Sequence, residues 1–195
     1  MGEQATPWRR LAGRGMYPVE YADWLLSPLR HLIASPNRIA DRLLLSPADR
    51  VLEIGCGPGF FSPTIAQRLP VGHLTLLDAQ EAMLTLASKR MRQRSLTNFI
   101  CVCGNAERLP FVAEAFDAVL MVTVLGEVRD RPTAMTEVAR VLRPRGHLSS
   151  TEAAGDPDRM QPAELDRLAA HAGLARGESW QGLLIRTHNY NKRSA

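Results

Sequence analysis

Apolar residues along this chain follow two alternating rhythms. Short, nearly continuous apolar runs occupy 51–54, 72–77, 99–102 and 116–125, and further strand-like stretches lie at 147–152 and on either side of Gly182 at 178–181 and 183–189. Runs of this length between turn residues predict strands. Between them the spacing becomes helical. Met83, Leu84, Leu86, Ala87 and Met91 line one side of a helix over 80–92, and Met135, Val138 and Leu142 line another over 132–142. Shorter helices are expected over 37–45, from Ser62 to about Leu69 before Pro70, and over 162–174 with a break at Gly173. Arg143 to Gly146 predicts a tight turn. The run at 116–125 is the longest and is expected to be the central strand. Alternating strands and helices predict an α/β fold, a parallel sheet with helices on both faces.

The residues before the first strand stand outside this alternation. Residues 1–15 read as a tail, since Arg9 and Arg10 are followed by no apolar stretch of the kind a secretory signal carries. Residues 16–40 are rich in bulky apolar side chains, with helical spacing over 24–32. The expected organisation is a tail and capping helical segment over 1–40 and a single domain over 41–195. The cap is expected to pack over the sheet. The alternative is a lid over a ligand or a surface for an apolar substrate, with Tyr17, Tyr21 and Trp24 as its candidates.

The most informative stretch ends the first strand. Val51-Leu52-Glu53-Ile54 runs into Gly55-Cys56-Gly57-Pro58-Gly59-Phe60 and then into a helix. A strand, a glycine turn and a helix N-terminus form a nucleotide-sized site. A dinucleotide fingerprint needs glycine at 60, where Phe60 would crowd a pyrophosphate, and the ending of a phosphate-binding loop is absent. A nucleoside ligand without a pyrophosphate remains. Asp78 ends the second strand, near the ~20-residue spacing at which such folds place a ribose carboxylate. It could instead cap the next helix; paired with the glycine loop, the ribose role is favoured.

Five ordered segments extend this pattern: 51–59, 74–78, Gly104-Asn105-Ala106-Glu107-Arg108-Leu109-Pro110-Phe111, Phe116-Asp117-Ala118-Val119-Leu120 and Ala139-Arg140-Val141-Leu142-Arg143-Pro144-Arg145-Gly146. Together they resemble class I S-adenosylmethionine-dependent methyltransferases, and within them the ubiquinone and menaquinone biosynthesis group. The resemblance covers roughly residues 40–155. It implies a Rossmann-like, doubly wound, mostly parallel sheet of about seven strands with the last antiparallel. It implies S-adenosylmethionine as cofactor and S-adenosylhomocysteine as product. Gly55, Gly57 and Gly59, with Cys56 between them, would admit the methionine part, and Glu53 would orient the loop or reach the ammonium group through water. Asp78 would hold the ribose with Ala79 beside it. Asn105 and Ala106 would meet the adenine, and Thr123 would lie near the sulfonium. The sequence departs from the family at Asn105, where most relatives carry Asp, at Pro144-Arg145-Gly146 in place of Pro-Gly-Gly, and at Gly126-Glu127, where many carry a His-His pair.

Methyl transfer from a positive sulfur is an in-line displacement that needs alignment and exclusion of water. A base is needed only for a protonated acceptor. Glu127, just past the central strand, is the weak candidate for such a group; a solvated loop carboxylate is the alternative. The expected acceptor is a small molecule, apolar or lipid-like. The base-amino motif Asn/Asp-Pro-Pro-Tyr would fall at 121–125, where Met-Val-Thr-Val-Leu stands. RNA methylation through the basic run at 89–94, and a catalytically silent cofactor-binding module, are the alternative functions.

Composition narrows the picture little. A net charge of +4 does not require a nucleic-acid partner, and no stretch is apolar enough to span a membrane. Three cysteines without disulfide-like spacing suit a reduced, cytoplasmic chain. Cys101 and Cys103 alternate along a strand and are expected to be small buried residues on one face. No metal is expected, since the five histidines form no ligand-spaced cluster.

Overall fold

The computed structural model describes residues 17–27, 31 and 34–194. Among them, seven strands form one sheet: β1 (Arg50–Ile54), β2 (His73–Asp78), β3 (Phe99–Cys103), β4 (Phe116–Val122), β5 (Leu142–Ala153), β6 (Leu174–Gln181) and β7 (Ile185–Lys192). Their order is β3-β2-β1-β4-β5-β7-β6. Pairing is parallel from β3 to β5, while β7 runs antiparallel to both β5 and β6. This is the Rossmann-like sheet expected, with β4 in the middle.

Residue parity along the strands explains the layers. Leu52, Val119, Met121 and Leu148 pack on one side with Met135, Val138 and Leu165. These come from α5 (Arg131–Val141) and α6 (Pro162–His171), numbered after four earlier helices. Val51, Leu74, Ala118 and Leu120 pack on the other side with Ile39, Ile65, Ala87 and Met91. These belong to α2 (Pro36–Arg42), α3 (Ser62–Gln67) and α4 (Glu81–Arg92); α1 is the single turn Ala22–Leu25. A strand buried on both faces has no polar alternation, so the central strands read as continuous apolar runs.

Three expectations change. The stretch at 143–146 is no tight turn but the irregular start of β5, where the register shifts between Phe116 and Ala118. Arg143 pairs with Asp117 at 2.7 Å across that irregularity, and Arg145 takes a φ of +66°. The apolar run at 116–125 is strand only to Val122, and Leu125–Glu127 form a 3-10 turn. Cys101 and Cys103 share a face as expected but are exposed, because β3 is the sheet edge. Ile39 of α2 is fully buried. No described helix is long and apolar enough to cross a membrane.

Candidate functional site

The glycine loop joins β1 to α3 at the carboxyl end of the parallel strands, where open α/β sheets bind ligands. The N–H groups of Gly55 and Cys56 both donate to the carbonyl of Leu77, at 2.7 and 3.2 Å. The N–H of Gly57 donates to Asp78 Oδ2 at 2.8 Å, and that of Gln80 to Oδ1 at 2.9 Å. Asp78 thus ties the loop to the start of α4. With the N–H of Ala79 as a third donor, the carboxylate still keeps accepting capacity for a ligand hydroxyl. The three glycines do different things. A Cβ on Gly55 would lie 2.5 Å from Val124, so that position is packed shut. Gly57 has a φ of +53° and faces only Leu25 within 4 Å, so the backbone there borders open space. Gly59 abuts Ala87 of α4 and lines no part of the cavity.

That open space is a cavity of about 510 Å³. Of the residues singled out in the sequence, Glu53, Gly55, Cys56, Gly57, Asp78, Ala79, Asn105, Ala106, Thr123, Glu127 and Tyr17 line it. The side chains of Tyr21 and Trp24 lie outside the described residues. Buried Glu53 accepts a hydrogen bond from Ser62 Oγ at 2.6 Å, which pins β1 to α3 below the loop. Asn105 Oδ1 accepts from the N–H of Glu107 at 2.9 Å, and the carbonyl of Asn105 accepts from the N–H of Arg108. Its side chain therefore shapes its own turn at the cavity wall. Thr123 holds a φ of +54°, rare for a β-branched residue, and its N–H donates to the carbonyl of Thr151 at 2.8 Å. Backbone strain of this kind clusters at binding sites. Cys56 is buried, and burial pushes its thiol well above the usual range, so it is a packed wall rather than a nucleophile.

The far wall is acidic. Glu127, Asp156 and Asp158 line it together with Arg129, Val124 and Val128. Burial, with Asp156, Asp158 and Asp78 adding like charge, pushes the Glu127 carboxyl up to about 7. Burial also raises Asp78, against the pull of its backbone donors. Tyr17 bridges the mouth. Its N–H donates to Glu127, and its carbonyl accepts from Gln80 Nε2 at 2.8 Å. Gln80, Asp156 and Asp158 escape sequence reasoning because each sits in a loop with no motif; proximity to Asp78 was the one signal for Gln80.

Residues 51–146 match the model of the methyltransferase domain family. Over those residues the chain is similar to a methyltransferase domain. Demethylmenaquinone methyltransferase of Listeria welshimeri is 36% identical over 100 residues, covering 51% of this chain and 42% of that one. Phthiotriol/phenolphthiotriol dimycocerosates methyltransferase of Mycobacterium leprae is 36% identical over 132 residues, covering 68% of this chain and 46% of that one. The chain thus spans less than half the length of these curated relatives. A solved S-adenosylmethionine-dependent methyltransferase from Aquifex aeolicus superposes with a TM-score of 0.84 at 19% identity, over 90% of this chain and 99% of that one. At that identity the likeness is one of fold.

S-adenosylmethionine is the cofactor of this class of domain, and the residues lining the cavity fit it. The cavity volume is within the range of small-molecule sites. Gly57 leaves the loop backbone uncovered, and Asp78 keeps accepting capacity beside it. The carboxylates of Asp78, Glu127, Asp156 and Asp158 around the cavity suit a ligand that carries positive charge.

Proposed function

We propose that this chain transfers the methyl group of S-adenosylmethionine to a small acceptor held against the wall of Glu127, Val124 and Val128. The observation that carries the reading is Asp78, whose carboxylate holds the Gly57 N–H inside the cavity while still able to accept from a ribose diol. The glycine loop would take the methionine end, Ala79 and the Asn105–Ala106 turn the adenosine end, and Thr123 the region between. Bound S-adenosylmethionine supplies a methyl group on a positively charged sulfur. The chain's own part is to align the acceptor, exclude water behind the Tyr17 strap, and take a proton where the acceptor carries one. Glu127, held near neutrality and facing the cavity, is placed for that last role.

The acceptor is read as apolar or lipid-like. The aliphatic share of the wall supports this, as do the relatives whose names specify demethylmenaquinone and phthiotriol dimycocerosates. Calorimetry with S-adenosylhomocysteine tests the cofactor half. Wild type is expected to bind one equivalent, and Asp78→Ala to bind at least about tenfold more weakly, the loss of a charge-assisted hydrogen-bonding group. No heat with wild type would sink the reading. Labelled S-adenosylmethionine incubated with a cell extract, followed by mass identification of the product, tests the acceptor half.

A further inference from the structure

Glu152, near the end of β5, is only 5% exposed. Its Oε2 accepts the N–H of Met160 at 3.1 Å, and its Oε1 has no hydrogen-bond partner. Residues 153–161, the last residue of β5 and the loop that follows it, bring Asp156, Pro157 and Asp158 to the cavity. The loop is pressed against the turn that carries Glu127. A Cβ on Gly126 would lie 1.8 Å from the carbonyl oxygen of Asp158. The same loop supplies two of the like charges that raise Glu127. Glu152 sits at the hinge of this assembly, one residue past Thr151, whose carbonyl holds the strained Thr123 N–H.

We propose that Glu152 is a positioning residue of the acceptor wall. By holding the N–H of Met160 it sets the 153–161 loop against Gly126, and so fixes where Asp156, Asp158 and Glu127 face the acceptor. It rests on the proposed methyl transfer only in calling this wall the acceptor's. The groups around Glu152 are Asp156 and Arg159 on the loop, Arg131 on α5 with its partner Glu164 on α6, and Arg186 and His188 at the facing positions of β7. Burial raises the Glu152 carboxyl to about 7, against the pull of the Met160 N–H, with Asp156 adding to the rise and Arg159 and Arg131 opposing it. The Met160 hydrogen bond favours the ionised carboxyl, so the clasp persists when Glu152 loses its proton.

Hydrogen exchange on the full chain tests this, with rates taken relative to intrinsic chemistry. In Glu152→Ala the amides of 153–161 are expected to exchange about tenfold faster or more, while those of α4 are unchanged. Glu152→Gln keeps a carbonyl for Met160 and should rescue the protection of the loop. Unchanged exchange of the loop in Glu152→Ala, or acceleration spread evenly over the chain, overturns the proposal. Should Glu152→Ala not fold, Glu152→Met decides, since it fills the site but cannot accept from Met160, and loop protection equal to that of wild type overturns the proposal. Failure of wild type to bind S-adenosylhomocysteine would count against the proposed function and leave the exchange result standing.

Discussion

Glu127 and Glu152 are carboxylates with nearly the same titration point, reached in one case at a cavity wall and in the other under a loop. Both are raised chiefly by loss of water. A fold that raises a carboxyl favours its protonated form. The stabilisation is therefore complete below the ordinary glutamate range near 4.5 and is lost as pH climbs to about 7. Wild type should accordingly melt at lower temperature at pH 8 than at pH 5.5, with the dependence reduced in the Glu127→Gln Glu152→Gln double variant. Carbon-13 titration of the glutamate carboxyls should find two midpoints near 7. Replacing Asp156 and Asp158 by Asn should lower the Glu127 midpoint and leave it above the ordinary range, since burial is the larger cause. A Glu127 midpoint near 4.5 would remove it as a base. If Glu127 takes the acceptor's proton, activity should rise with pH and level off above about 7, because only the ionised form accepts.

At the scale of elements, the Asn105 side of the cavity is held from a distance. Arg140 on α5 donates to the carbonyls of Phe111 and Leu109 at 2.8 and 3.1 Å, and to Glu137 at 2.6 Å. Glu137 in turn accepts the N–H of Leu109 at 2.8 Å. One helical turn thereby clamps the loop that follows Asn105. Arg140→Ala should cost about 2 kcal/mol and weaken S-adenosylhomocysteine binding severalfold; unchanged affinity would dissociate the clamp from the site. The sequence revealed the glycine loop and Asp78 because their chemistry is local, a turn and a carboxylate at fixed distance along the chain. It offered Tyr17 only as one of three lid candidates, and it did not reveal the Arg140 clamp or Glu152. The Arg140 clamp reaches about thirty residues along the chain and Glu152 reaches eight, and each consists of an ordinary side chain meeting a backbone group that any residue could supply. The polar run at 143–146 misled because a bulge in a strand and a turn between elements call for the same residue types.

For the molecule as a whole, the decisive property is strand order, which periodicity does not encode. Cys101 and Cys103 read as core because apolar runs usually are; β3 lies at the rim, and both thiols meet solvent. A thiol reagent should therefore modify these two cysteines in the native protein and reach Cys56 only after denaturation. Reaction of Cys56 at the native rate would contradict the packed glycine loop.

The placing of β7 also bears on biosynthesis. β7 is made after both strands it pairs with and is inserted between them, so β6 leaves the ribosome with no seat in the sheet, and the outer edge of β5 waits with its peptide groups unpaired. Ser149, Ser150, Thr151 and Glu152 make that waiting strand polar, which disfavours capture by a neighbouring nascent chain. A chain that stops short of Ile185 keeps this open edge permanently, and it is this truncated product that cellular proteases and chaperones would meet as an aggregating species.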